Sequence, residues 1–336
     1  MTARYARVAG VGAALPDRVV TNQDLERVID TSDEWIRRRT GIRARRFAGP
    51  GETAASLAAD AASAALDASG VAPAAIDVTI VATVTGDQPM PSTASLVQQR
   101  LEISGAAFDL QAACAGFIYA LDVASARIQA GMDDTALVIG TEVLSRFLDM
   151  SDRTTCVLFG DGAGAAVITP ADAPGLIGSV LQADGRYAGL LDIPAGGSRE
   201  PASEETVRTH RHSIRMLDGG EVFRRAIDSM AEAIETLLEK HGVRADDVSL
   251  LVPHQANVRI LRAVADRLSF PMDRVFVDLD RVGNTSAASV PIALDDAWRA
   301  GRVQPGDLVV TTAFGAGLTW GANLLRWTAP APETLG

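Results

Sequence analysis

Two stretches of this chain recur at nearly the same distance. "GVAPAAIDVTIVA" begins at Gly70 and "GVRADDVSLLVP" at Gly242, 172 positions later. "ALDVASARIQAGMDDTALVIG" begins at Ala120 and "ALDDAWRAGRVQPGDLVVTT" at Ala293, 173 positions later. Each match is weak alone, but two pairs at one offset describe a duplicated unit. Both pairs join an Ala- and Leu-rich helical stretch to a run of Val, Ile and Leu. Runs at Val78–Thr83, Ala136–Gly140, Cys156–Phe159, Leu250–Val252 and Leu308–Thr312 do not alternate polar with apolar residues. That pattern fits strands buried on both faces. Strands alternating with helices predict an α/β architecture. The expected division is residues 1–172 and 173–336. The two halves would face each other across a pseudo-two-fold axis, with equivalent segments meeting at a central site. The most polar stretch, Ser198 to Arg211, is expected to be a surface excursion between the halves.

Composition narrows the function. At 336 residues with 47 % hydrophobic and 22 % charged residues, the chain can bury a large core without covalent staples. Its two cysteines, Cys114 and Cys156, point to a reducing compartment. No basic stretch followed by a long apolar run opens the sequence, and no run approaches the ~18 apolar residues of a membrane span. The expected location is therefore the cytoplasm. The formal charge of −11 disfavours nucleic acid and anionic membranes as partners. Against that background Arg37, Arg38, Arg39, Arg43, Arg45 and Arg46 form a local basic knot. It reads either as a solvated face or as a site for a phosphorylated ligand.

Three residues stand where chemistry is often placed. Cys114 follows the strand-like Ala106–Leu110 and precedes a helical pattern starting near Ala115. A helix N-terminus favours a thiolate, so the expected effect is a lowered thiol pKa; the alternative is a small buried hydrophobe. Cys156, inside the strand-like "TCVLFG", fits the second reading. Of four histidines, His254 alone ends a buried strand and opens a helix, at the carboxyl edge where open α/β sheets gather functional groups. Asn284, in "VGNTSAASVPIAL", reads locally as a turn residue. The 173-residue offset brings its segment opposite that of Cys114, so both loops would face one pocket. The Gly-rich "FGAGLTWG" and "FGDGAGAAVI" lack the spacing of a nucleotide-phosphate loop. No His, Cys and carboxylate cluster suggests a metal.

Taken in order, "DTSDEWIRRRTGIRARR", "DLQAACAGFIYAL", "DRTTCVLFGDGAGAAV", "IPAGGSREP", "LDGGEVFRRAI", "VPHQANVRI", "VGNTSAASVPIAL" and "FGAGLTWGANLLRW" closely resemble the β-ketoacyl-[acyl carrier protein] synthase III family of the thiolase superfamily. The resemblance runs nearly end to end. It implies a duplicated thiolase-like fold with five layers, αβαβα, a homodimer, and no metal or redox cofactor. It implies a catalytic triad of Cys114, His254 and Asn284. Coenzyme A contacts would fall on Trp35, Arg39, Arg153 and Asn257, with Thr31 and Thr40 flanking them, and Arg259 would dock an acyl carrier protein. The oxyanion would be held by the N–H groups of Cys114 and Ala316; the family often has Gly at the latter position. Met90 would stand where relatives often carry Phe, at the end of the partner's acyl pocket. The implied reaction is the decarboxylating condensation of an acyl-CoA primer with malonyl-[acyl carrier protein], initiating fatty acid synthesis. The alternative is a starter-unit condensing enzyme or acyltransferase of a specialised polyketide pathway. A degradative thiolase fits less well, since "FGAGLTWG" lacks a second cysteine.

Overall fold

In the computed structural model, which describes residues 4–331, four of the five apolar runs become strands of two principal sheets. The first contains β1 (Tyr5–Ala14), β2 (Val78–Ala82), β3 (Ala106–Leu110), β4 (Ala136–Glu142) and β5 (Gly162–Ala171), in the spatial order β1-β5-β4-β2-β3. The second contains β6 (Leu176–Ala183), β7 (Leu250–Pro253), β8 (Leu308–Gly315) and β9 (Thr319–Arg326), in the order β7-β8-β9-β6. Strands β2, β3 and β4 run parallel, as do β7 and β8, while β1, β5, β9 and β6 pair antiparallel. Read from β6, the second sheet repeats the order and directions of the first. The counterpart of β3 is reduced to one bridge between Leu251 and Val275.

Seven helices position these sheets: α1 (Asp33–Thr40), α2 (Ala54–Ser69), α3 (Thr93–Leu101), α4 (Gly116–Gln129), α5 (Gly219–His241), α6 (Val258–Arg267) and α7 (Ser289–Arg299). Helices α4 and α7 lie between the sheets. Phe117, Ile118 and Leu121 of α4 share one core with Val290 and Leu294 of α7, Ile80 and Val138 of the first sheet, and Val252 and Val309 of the second. A helix enclosed by two sheets is apolar nearly all round, and each large side chain buried there contributes about 1.5–3 kcal/mol. Outside, Leu57, Ala61 and Ala65 of α2 cover the first sheet, and Met230, Ile234 and Leu237 of α5 cover the second. The order of layers is αβαβα. The repeat's opening glycines have a physical reason: Gly70 and Gly242 end α2 and α5 at φ 67° and 63°, left-handed positions that suit glycine.

Two expectations need correction. Cys156 is not on a strand. Its N–H and that of Thr155 donate to the Asp152 carbonyl at 3.1 and 3.2 Å, and Leu158 N–H donates to Thr155. The Asp152 carboxylate accepts from the N–H and hydroxyl of Thr154 and the hydroxyl of Thr155, which curls the chain into turns. Cys156 is nonetheless fully buried, beside Ile36 and Leu261. The polar stretch Ser198–Arg211 does not lie between the sheets' segments. The chain leaves the first sheet at Ala171 and enters the second at Leu176, and the excursion follows β6. It holds a short helix, Glu204–Arg208, capped by Ser203.

Candidate active site

The duplication brings two alike turns together at the centre. Ala113–Ala115 forms a single 3-10 turn before α4, and Ser286–Ala288 forms another before α7, 173 residues later. Each opens on a non-glycine residue at positive φ, Ala113 at 45° and Ser286 at 49°. Each is met by a glycine from the other sheet. A Cβ on Gly315 of β8 would lie 2.5 Å from the Cys114 nitrogen, and a Cβ on Gly140 of β4 would lie 2.2 Å from the Ala287 carbonyl oxygen. Only glycine permits backbones to approach so closely. The Thr319 hydroxyl donates to the Ala112 carbonyl at 2.7 Å, a further tie from β9 to the cysteine's turn.

Cys114 is thus seated by the second half, and Asn284 by the first. Gly160 N–H donates to the Asn284 carbonyl, and Asn284 N–H donates to Leu158. Its side-chain Oδ1 accepts from Ser286 N–H at 2.9 Å, which leaves the Nδ2 group as the free donor. His254 follows β7, its backbone N–H donating to Thr312 at 2.7 Å. Behind it, Gln255 is fully buried. Its amide donates to the Pro253 and Phe276 carbonyls, its Oε1 accepts from Asp278 N–H, and its own N–H donates to the Ser289 hydroxyl. That network fixes the bend that presents His254. Cys114, His254 and Asn284 line one pocket, whose apolar walls include Val222, Phe223 and Ala226 of α5.

The electrostatics reverse one expectation. Burial pushes the Cys114 thiol up to about 12, and the Glu142 carboxyl adds to that rise. The helix terminus therefore does not leave a resting thiolate. The neighbouring Ser286 hydroxyl acts in the other direction. Burial also lowers His254 to about 4, so its imidazole is neutral at physiological pH. Its Nδ1 is buried without a protein partner. Glu142, at the end of β4, is raised by burial to about 7.

Near one wall of the pocket, the Arg39 and Arg153 guanidinium groups stand 4.9 and 5.3 Å from the Trp35 ring centre. Arg153 also donates to the Asp30 carbonyl. Asn257 lines the pocket, accepts from Arg259 N–H to cap α6, and donates to the Arg39 carbonyl at 3.1 Å. Thr31 is half-buried with its hydroxyl unpartnered. Thr40 lies beneath this face, its hydroxyl donating to Ile36 and accepting from Ile42 N–H. Arg259 is exposed, with its guanidinium over Phe223. Ala316 is half-buried in the loop joining β8 to β9; the pocket lining includes its neighbour Gly315. Met90 is 84 % exposed and stands outside the lining of this pocket. Sequence reasoning did not single out Glu142, Ser286, Gln255 or Gly315. Gly315 and Ser286 carried a faint signal, being the residues at which two otherwise alike turns meet. Among the described residues no group of His, Cys and carboxylates is arranged to hold a metal.

Comparison with known proteins agrees with this geometry. The family model described as 3-oxoacyl-[acyl-carrier-protein (ACP)] synthase III matches residues 108–185, and the model of that family's C-terminal part matches residues 238–327. A β-ketoacyl-[acyl-carrier-protein] synthase III of Symbiobacterium thermophilum is 53 % identical over 97 % of this chain and 99 % of its own length. The crystal structure of 3-oxoacyl-[acyl-carrier-protein] synthase III from Aquifex aeolicus superposes with a TM-score of 0.89 at 47 % identity, covering 96 % of this chain and all of that one. The priming β-ketosynthase of the R1128 polyketide biosynthetic pathway superposes with a TM-score of 0.91 at 39 % identity, covering 98 % of each chain.

Proposed function

The chain belongs to the β-ketoacyl-[acyl-carrier-protein] synthase III family, and from that premise we propose that Cys114, His254 and Asn284 are its catalytic residues. The enzyme is a condensing acyltransferase. It joins an acyl-CoA primer to malonyl-[acyl carrier protein] and so initiates fatty acid synthesis. A dedicated polyketide starter enzyme is the less favoured reading. Relatives near 50 % identity over the full length are synthases III, whereas the polyketide enzyme stands at 39 %.

The observation that carries the residue assignment is the single pocket lined by all three side chains, one from the first half and two from the second. In the first step the Cys114 sulfur bonds to the acyl carbonyl carbon, the bond to the CoA sulfur breaks, and the thiol's proton leaves with CoA. The α4 terminus and the Ser286 hydroxyl ease the ionisation that burial opposes. In the second step the malonyl group loses CO2, and the bond's electron pair passes into the thioester as an enolate. Neutral His254 and the Asn284 amide donate to the enolate oxygen. The enolate carbon then attacks the acyl-Cys114 carbonyl, and the released sulfur takes a proton from solvent. The N–H groups of Cys114 and Ala316 serve the oxyanion of both acyl transfers.

The CoA contacts proposed for Trp35, Arg39, Arg153, Asn257, Thr31 and Thr40 have a physical basis in the indole ring with two guanidinium groups beside it, which suits stacking on adenine and pairing with phosphates. Thr40 would act by holding the end of α1. Exposed Arg259 suits an acidic carrier protein. Strand β3 ends its sheet, with Ala106 and Asp109 exposed, and the Met90 loop stands exposed as well. A second copy of the chain is the proposed cover for that edge, giving a homodimer. Among the described residues no helix is long and apolar enough to cross a membrane; the proposed compartment is the cytoplasm. Residues 1–172 and 173–336 are proposed as its two thiolase-like halves. The test is incubation with acyl-CoA followed by intact mass measurement. Wild type and Cys156→Ala gain one acyl group, and Cys114→Ala gains none. Acylation of Cys114→Ala at the wild-type level defeats the assignment.

A further inference from the structure

We propose that Arg45 is a positioning residue for the acyl-CoA site: its buried guanidinium ties the start of α1 to the turns after Asp152, and so holds Trp35, Arg39 and Arg153 in the arrangement that meets the nucleotide end of CoA. The inference rests on the proposed placement of CoA against those three residues.

The basic knot read from the sequence is not one face. Arg37 pairs with Asp33, Arg46 donates to the carbonyls of Pro16 and Asp17, and Arg39 lies beside Trp35. Arg45 is wholly buried, so it is neither solvated nor a direct partner for phosphate. It lies on a short hairpin of Val19–Thr21 and Ala44–Arg46, opposite Val20. Its Nη1 donates to Asn22 Oδ1 at 2.8 Å and to the Val20 carbonyl at 3.4 Å, and its Nη2 donates to the Val157 carbonyl at 2.6 Å. These acceptors are all neutral. A buried cation satisfied in this way is costly, and an apolar side chain would fill the space at less cost. What a guanidinium adds is a planar fork that fixes the directions of its acceptors.

Those acceptors lead to both sides of the proposed CoA face. Asn22, itself buried, donates from Nδ2 to Asp33 Oδ1 at 2.8 Å and to the Ile42 carbonyl at 2.9 Å. Asp33 opens α1 two residues before Trp35. Val157 lies in the turns that start at Asp152 and carry Arg153. One guanidinium therefore reaches both elements whose side chains meet at the indole, Arg39 from α1 and Arg153 from the turns. Its own stem is closely held, since a Cβ on Gly160 or Gly283 would lie 3.1 or 3.0 Å from the Arg45 Cβ. Ile36, Cys156 and Val157 also join α1 to the turns through one apolar cluster. Apolar burial has no direction; the hydrogen bonds set the orientation.

The experiment measures acyl transfer to Cys114 by rapid quench and intact mass, at increasing concentrations of acetyl-CoA or of acetyl-pantetheine, which lacks the nucleotide. The proteins are full-length wild type, Arg45→Met and Asp33→Ala. The first substitution removes a positive charge and the second a negative one, so lost geometry, unlike lost charge, moves both in one direction. Both are expected to raise the half-saturating concentration of acetyl-CoA about tenfold with the maximal rate unchanged, because fewer molecules hold the site in its binding form. Neither is expected to alter the rate with acetyl-pantetheine, whereas a general loosening of the fold would impair both donors. An unmoved acetyl-CoA constant in either variant, shifts of opposite sign, or equal losses with both donors overturn the inference. If Arg45→Met does not fold by circular dichroism, Asp33→Ala decides alone, and an unmoved or lowered constant, or equal losses with both donors, overturns it. Trp35→Ala tests the underlying placement. An unmoved acetyl-CoA constant there defeats the CoA assignment, whereas a raised one beside unmoved Arg45→Met and Asp33→Ala defeats only the role of Arg45.

Discussion

As the proposed nucleophile, Cys114 would act from a place that holds its proton on, 8 % exposed and with burial raising its thiol pKa. On the proposed assignment the chemistry is divided: the α4 terminus would favour the thiolate, while His254 and Asn284 would remain available for the enolate. His254→Ala and Asn284→Ala should each lose about 10²–10³ in malonyl decarboxylation while still accepting an acyl group from acyl-CoA. Radiolabelled CO2 release beside intact mass checks this, and condensation at wild-type rates in both variants removes the pair from the mechanism. The two buried titrating groups also give opposite pH dependences of stability. His254 falls from 6.5 to about 4 on folding, so the folded protein binds fewer protons in that window. The stability at stake is full above pH 6.5 and is lost as pH falls through 4. Glu142 rises from 4.5 to about 7, so its contribution is full below pH 4.5 and is lost as pH rises through 7. Each amounts to roughly 3 kcal/mol across its window, as an order of magnitude. Urea unfolding at several pH values should show Glu142→Gln gaining on wild type from pH 4.5 to 7, and His254→Asn gaining on it from pH 6.5 down to 4. Parallel curves would mean that neither group titrates in the fold.

At the scale of elements, the site is made where strands touch turns. Gly140→Ala would drive a methyl group into the Ala287 carbonyl, and Gly315→Ala would drive one into the Cys114 nitrogen. Overfilling of this kind typically costs about 1–3 kcal/mol. Urea denaturation should register both substitutions, and single-turnover acylation should be slowed mainly by Gly315→Ala, since it displaces the N–H of Cys114, the proposed nucleophile. Equal acylation rates in the two variants would contradict that division. The same elements explain what the sequence made legible. The repeat was readable because its opening glycines cap α2 and α5, and its apolar runs are strands closed in on both faces; each carries a strong local signature. The strand expected at Cys156 was misread because a buried turn and a buried strand use the same apolar residues, and the deciding group is the Asp152 carboxylate that curls the chain. Glu142 was not legible at all. In "VIGTEVLS" it reads as the polar end of a strand, and the Ser286 hydroxyl that donates to its carboxyl lies 144 residues away.

At the scale of the whole molecule, β3 is an edge strand of the first sheet, and Met90 stands exposed in the loop after β2. With a second copy across that edge, Met90 would border the far end of the partner's acyl pocket, where side-chain volume limits the primer. Methionine is unbranched and changes rotamer at small cost. The expected enzyme accepts propionyl and branched four- to five-carbon primers beside acetyl. Met90→Phe should lower the ratio of kcat/KM for isobutyryl-CoA to that for acetyl-CoA by about tenfold or more. An unchanged ratio in a protein that is still dimeric by ultracentrifugation would take Met90 out of the pocket. The paired turns at the centre carry a different consequence. Ala113–Ala115 and Ser286–Ala288 share one backbone shape, yet Cys114 occupies the middle of the first and Ala287 the middle of the second. Shape therefore does not say which copy attacks and which assists; the side chains alone divide the labour. On the proposed assignment, a chain built as two echoes of one motif is directional, receiving the acyl group at the first turn and meeting the carbanion's oxygen from the second.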